Sequence, residues 1–276
     1  MSCFRIFRPS LLLIALLAGG LASQPGRAAE QTLRIGGTGA AIALMTHLAA
    51  TFARQQPEIA VEVLPSLGSS GGIRALIDGA VDIAVSARPL RPAEAAQNLE
   101  ATPLLRTPFA IVSSRRKPPS LASGDLAALF ADPAATWPDG MPVYVILRPE
   151  SDSDSAVLQQ YFAGMTAALA AARQRPEVPV AKTDQDNIRL AGAIAGSLTA
   201  ATLTQIVSEF AAVSTIPLDG VAPTVENMQN GRYPFYKELI IVRRSDGSAA
   251  MTRFIAFLTS ERGRRILEES GSLPLL

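Results

Sequence analysis

The chain has 276 residues, with 25 Lys and Arg against 24 Asp and Glu (formally +1), 48% hydrophobic residues, one cysteine and one histidine. Such a balance excludes a basic nucleic-acid surface, and a lone cysteine excludes both a disulfide framework and a thiolate metal site. No H-E-x-x-H or phosphate-loop pattern occurs, so neither a zinc-protease site nor a nucleotide loop is predicted.

Residues 1–29 read as a secretory signal peptide. Arg5 and Arg8 form a basic start, and Leu11 to Leu21 is an apolar core short for a bilayer span. Gly26-Arg27-Ala28 or Arg27-Ala28-Ala29 offers small residues for cleavage. A retained anchor is the competing reading. Cys3 precedes the apolar core, so it is no lipidated cleavage-site cysteine. Cleavage would remove Arg5, Arg8 and Arg27 and no acid, which takes 25 basic residues to 22 against 24 acidic ones, a net −2. The remaining 247 of 276 residues suffice for one large domain or two small ones. Beyond residue 29 no apolar run is long enough for a membrane span.

Thr32 to Ile35 reads as a strand, followed by Gly36-Gly37-Thr38-Gly39-Ala40 and a helix on Ile42, Met45, Leu48, Ala49 and Phe52 that Pro57 stops. Val61 to Leu64 is a second strand. It leads through Leu67-Gly68-Ser69-Ser70-Gly71-Gly72 into a helix on Ile73, Leu76 and Ile77. Strands follow at Val81 to Ser86 and around Phe109 to Val112, then a short helix at Asp125 to Phe130 and a buried-type strand at Val143 to Leu147 that delivers Arg148. Ser151 to Ser155 caps a helix through Val157, Leu158, Tyr161 and Phe162, and residues 163–180 read as helix then loop. Asp184 to Asn187 is expected to cap a helix from about Ile188. Strands are expected at Ala212 to Leu218 and Lys237 to Val242, a short helix at Val225 to Asn230, one amphipathic helix over Met251 to Glu269, and a short tail from Gly271. Strands alternating with helices predict α/β sheets with parallel strands.

The loop at Gly68 to Gly72 carries the chemistry. It opens a helix with no carboxylate in its first turn, so unpaired N–H groups and the helix dipole favour an anion there. Serines that simply cap the helix are the plainer alternative. The loop at Gly36 to Gly39 repeats the strand–Gly-rich loop–helix arrangement and could face the same anion, or could serve tight strand–helix packing. A nucleophilic serine in the Gly68 loop would need a base, and the only histidine, His47, sits in an amphipathic helix.

Gly68-Ser69-Ser70-Gly71-Gly72, then Asp82 to Ser86 with Pro89-Leu90, resemble the phosphate-type periplasmic solute-binding proteins of ABC importers. Later landmarks agree: Trp137 before the strand ending in Arg148, Asp219 to Thr224, Gly231-Arg232-Tyr233-Pro234, and Phe254 to Ser260. The similarity runs in order along nearly all of the chain after the leader. It implies a type II periplasmic binding protein fold, two α/β lobes joined by two crossing strands with a ligand cleft between them. The expected organisation is leader 1–29, first lobe 30–108, second lobe 109–238, and a return to the first lobe at 239–276. The resemblance further implies a periplasmic, monomeric, non-enzymatic protein without cofactor, metal or nucleic acid. It would capture a small anionic or polar solute and engage a membrane permease transiently.

The ligand-binding positions implied by the resemblance are Thr38, Gly39, Ala40, Ser69, Ser70, Gly71, Ser86, Arg148, Asp152, Ser153 and Asp154, with Glu150 bracing the arginine. Three departures from the phosphate pattern stand out. Ala87 occupies the position of a carboxylate, Thr38-Gly39-Ala40 shifts the first-loop hydroxyl, and Asp152-Ser153-Asp154 replaces a Ser-Gly-Thr. Two carboxylates facing phosphate would oppose it by several kcal/mol on an order-of-magnitude scale. Either they cap the helix and turn away, or the solute carries a cation, amine or hydroxyl that uses them, with Asp184 and Asp186 as further acidic contributors. The alternative function is thus a non-phosphate polar or cation-bridged solute, or a solute sensor for a membrane receptor.

Overall fold

The computed structural model describes Met1 and residues 31–276, so the predicted leader and Cys3 lie outside the described residues. Among these there are nine strands: β1 Gln31–Gly37, β2 Ile59–Val63, β3 Ile83–Ser86, β4 Leu99–Ser113, β5 Tyr144–Val145, β6 Ser197–Thr202, β7 Ser214–Ile216, β8 Tyr236–Arg244 and β9 Leu273–Pro274. Their order is β2-β1-β3-β8-β4-β6-β5, with β7 and β9 also pairing β4.

Two hydrophobic layers flank each half of this path. In the first half, Leu44, Met45, Leu48 and Phe52 of the helix Ile42–Gln55 pack with Phe254, Phe257, Leu258 and Ile266 on one face of β1, β3 and β8. Ile73 and Leu76 of the helix Gly68–Ile77 cover the other face. In the second half, Phe130, Trp137, Leu158, Phe162 and Leu169 form one layer, and Ile146, Ile188 and Ala191 the other. The strand β4 belongs to both halves. Leu99 to Pro108 pair with β8, and Phe109 to Val112 pair with β6.

The sheet is mixed rather than parallel. Parallel pairing holds for β1 with β2, β1 with β3, and β5 with β6. It is antiparallel wherever β4 or β8 takes part, because these two strands run past each other between the halves. Helix and strand bounds also move. The predicted helix 251–269 divides into Ala249–Thr259 and Glu261–Glu269 at Ser260, whose extended backbone and hydroxyl cap the second helix through the Gly263 N–H at 3.2 Å. The helix expected from Ile188 starts at Asp184, one turn earlier, because Thr183 is its cap and accepts the Asp186 N–H at 3.0 Å. Only Tyr144–Val145 of the strand predicted at 143–147 joins the ladder. Past it, Leu147 bridges to Val180 instead. The expected tail contains β9, which pairs with Leu105 and Arg106 of β4.

One close approach places the loop on which the sequence reading turns. A Cβ on Gly72 would lie 2.5 Å from Gly37 Cα and 3.0 Å from Gly37 N, so the helix Gly68–Ile77 rests directly on the end of β1. Gly72→Ala should therefore push helix from strand and cost about 1–3 kcal/mol. Denaturant unfolding measures this, with Gly124→Ala, where a Cβ meets open space, as the control.

Candidate functional site

A cleft of about 510 Å³ opens between the two halves of the molecule. The first turn of the helix Gly68–Ile77 and the segment 87–91 form one wall. The other comprises the segment from Arg148, one face of the helix Ser153–Tyr161, and Lys182 with Thr183.

On the first wall the helix starts on Gly68, whose φ of +67° suits glycine, without a side-chain cap or an acidic residue in its first turn. Its backbone N–H groups thus keep their partial positive charge for the cleft. The serines are held from behind. Ser69 Oγ accepts the Ala87 N–H at 2.9 Å, and Ser70 Oγ accepts from Arg88 Nη2 at 3.0 Å and Nε at 3.3 Å. Arg88 is fixed in turn by both oxygens of Glu94, at 2.7 and 2.8 Å. Those hydrogen bonds hold the Glu94 carboxyl down at about 2, so the pair stays ionised at any ordinary pH. Lys182, exposed on the opposite wall, has no ion-pair partner among the described residues.

The second wall hides a charge cluster. Arg148 is 4% exposed. Its Nη1 donates to Ala181 O at 2.9 Å, and its Nη2 donates to Asp152 at 2.8 Å and to Asp184 at 3.2 Å. Asp154 Oδ2 lies 3.8 Å from Arg148 Nε, and Asp154 Oδ1 accepts from buried Lys237 of β8. Two cations therefore face three carboxylates. Burial works against the charge on Arg148, but Asp184, Asp154 and Asp152 more than offset it and hold the guanidinium pKa above its usual value. Lys237 is likewise raised, burial being outweighed by Asp154, Asp184 and Asp152. The carboxylates carry the surplus. Burial, then the neighbouring Asp154 charge, pushes Asp184 up to about 6 and raises Asp152 in the same way.

Of the residues singled out from sequence, Ser69, Ser70, Gly71, Arg148, Asp152 and Ser153 line one cleft. Thr38, Gly39, Ala40, Ser86 and Asp154 are buried and do not line it. Ser86 closes a turn, its hydroxyl donating to Arg88 O at 2.7 Å. Gly39 O accepts from Gln185 Nε2 at 2.9 Å, a hydrogen bond between the two halves. The two aspartates separate. Asp152 caps its helix through the Asp154 N–H at 2.8 Å while its side chain stays 16% exposed, and Asp154 turns inward to Lys237. Glu150 does not brace the arginine. It is exposed and makes no side-chain hydrogen bond among those described, because Asp152 and Asp184, at helix starts packed against Arg148, hold the guanidinium instead. Asp186 also leaves the acidic group, pairing with Arg189 at 3.4 Å. His47 is exposed on the helix Ile42–Gln55 and does not line the cleft, so neither serine has a histidine base.

Sequence reasoning missed Arg88, Lys182 and Lys237. Arg88 carried a signal, since it sits in the segment after β3 that must pass the Gly68 loop. Lys237 carried none, because a lysine opening a strand is ordinarily at the surface.

Similarity to known proteins agrees with this architecture. The sequence model of the PBP superfamily domain matches residues 22–262. The chain belongs to the PBP superfamily. No curated protein matches the sequence. Among solved structures, a protein of Clostridium perfringens described as a phosphate ABC transporter substrate-binding protein, solved with bound phosphate, is similar at 18% identity and TM-score 0.77, covering 89% of this chain and 100% of that one. An ABC-type phosphate transport receptor from Vibrio cholerae is similar at 21% identity and TM-score 0.60, covering 88% and 99%. The reduced form of OxyR from N. meningitidis is similar at 12% identity and TM-score 0.58, covering 89% and 99%. At such identities these likenesses are of the PBP superfamily fold, which serves proteins of different function.

Proposed function

We propose that this PBP superfamily protein is an exported, periplasmic, monomeric solute-binding protein that captures a small oxyanion, phosphate or a relative, and delivers it to an ABC importer through transient contact with the permease. The carrying observation is the cleft itself: an acid-free helix start presenting Ser69, Ser70 and Gly71 beside Arg88, with Lys182 opposite. Helix N–H groups, hydroxyls and a cation without an ion-pair partner, here Lys182, hold an oxyanion without reacting with it. The lobes in this reading span 30–108 with 239–276, and 109–238, the leader directing export. The similarity to the Clostridium substrate-binding protein with bound phosphate and to the Vibrio phosphate transport receptor supports the same reading.

Calorimetry with inorganic phosphate, sulfate and ethyl phosphate tests it. At least one is expected to give saturable heat that weakens as salt is raised, and Lys182→Gln is expected to weaken that binding about three- to tenfold without moving the melting temperature. Absence of heat with all three anions would overturn the oxyanion reading.

The position of Asp152 on the cleft favours a second element of recognition, one that the phosphate pattern lacks.

A further inference from the structure

We infer that the cleft takes a small zwitterionic organic phosphate or phosphonate, whose anionic head sits at the Ser70–Gly71 turn while an amine pairs with Asp152. This rests on the oxyanion reading of the same cleft and specifies the rest of the ligand.

Three observations carry it. The first is size. The cleft, about 510 Å³, falls within the span of about 300–1,000 Å³ typical of organic ligands. A tetrahedral oxyanion of five heavy atoms fills a small part of that. Leu67, Pro149, Ala156 and Val157 supply apolar wall for a short carbon body.

The second is the state of the arginine. Both Nη atoms of Arg148 are committed to Ala181 O, Asp152 and Asp184, so no two-pronged fork faces the cleft. An anion pressed against that guanidinium would also meet the carboxylates around it. Arg148 Nε is buried, 3.8 Å from Asp154 Oδ2, and has no hydrogen-bond acceptor. The anionic head is better placed on the other wall, where Arg88 and the helix start face no uncompensated acid.

The third is charge balance. Asp152, Asp154 and Asp184 outnumber Arg148 and Lys237 by one. Asp154 and Asp184 are shut away, whereas Asp152 lines the cleft. Its carboxylate uses one oxygen for the Asp154 N–H and the other for Arg148, and each oxygen retains acceptor capacity. An ammonium there supplies the missing positive charge.

The test compares four probes on the full exported chain: inorganic phosphate, ethyl phosphate, ethanolamine phosphate and ethanolamine. Ethanolamine phosphate is expected to bind about tenfold or more tightly than ethyl phosphate, which lacks only the amine. Asp152→Asn, which keeps an N-cap oxygen, is expected to abolish that difference, read as the ratio of the two affinities within the same variant. Equal affinity for ethanolamine phosphate and ethyl phosphate overturns the inference. So does inorganic phosphate binding as tightly as ethanolamine phosphate, although the oxyanion reading would then stand. If ethanolamine is the one probe that binds, or if none of the four does, the inference fails, and the oxyanion reading fails with it when sulfate gives no heat either.

Discussion

Lys237→Met is expected to unfold the protein more readily than any other single substitution at this site. The lysine is 1% exposed, on the strand β8, where its ammonium meets Asp154 and lies 5.8 Å from the centre of the Phe109 ring. Methionine preserves the volume and removes the charge, leaving three carboxylates with Arg148 alone. Breaking a buried pair from one side costs about 3–5 kcal/mol, chiefly because the remaining charge stays buried without its partner. For a chain of this size that corresponds to a fall in melting temperature of roughly 6–20 °C. Pairing it with Asp154→Asn removes the orphaned charge and should restore at least half of the loss. Calorimetric melting of the wild type, the single and the double variant measures both numbers. A loss under about 1 kcal/mol for Lys237→Met would contradict the account of the cluster.

The same surplus of carboxylate makes stability depend on pH in an unusual direction. Asp184 is held at about 6 in the folded protein, against the ordinary 3.8 of an aspartate. Between those values the folded state keeps a proton that the unfolded chain has lost. Stability from this group is therefore complete below about pH 4 and falls as pH rises through 6. The loss approaches about 3 kcal/mol at most. Lowered carboxyls such as Glu94 act oppositely at lower pH, so the effect is read as a difference. Urea unfolding of wild type and Asp184→Asn at pH 4.5 and 7.0 should show the wild type losing stability relative to the variant across that interval. Parallel behaviour of the two proteins would show that Asp184 is ionised throughout.

The sequence exposed the elements that depend on local pattern and hid those that depend on distant pairing. The helices on Ile42 to Phe52 and on Ile73 to Leu76, and the acid-free turn at Gly68, were legible because periodicity and turn residues are local. The antiparallel crossing of β4 and β8 pairs residues 128 to 145 positions apart, from Pro108 with Tyr236 to Leu99 with Arg244, and alternation of strand and helix says nothing of it. The resemblance supplied it instead. Within the site, Ser69 and Arg148 were legible as motif positions and do share one cleft. The role of Asp184 in holding Arg148, and the displacement of Glu150 from that role, depend on which side chains converge after folding. Two aspartates in one motif, Asp152 and Asp154, point to opposite sides of a wall because they sit on different sides of a helix start.

The exchange of partners along β4 has a consequence for how the chain becomes a protein. Arg106 and Glu238 face each other across that exchange from 132 residues apart, and closing a loop of that length costs about 4 kcal/mol in chain entropy before any contact compensates. The pairings of β4 with β6 and β7, and of β5 with β6, all fall between residues 109 and 216, so their partners exist before β8 is made. The other half lacks an interior strand of its sheet until β8 emerges, and until then β3, with Ile83, Ala84 and Val85, offers a bare edge of the kind that recruits other chains. β1 meets β2 and β3 within the first 86 residues made, but β3 and the first part of β4 wait for β8, so the amino-terminal sheet is completed only near the end of translation.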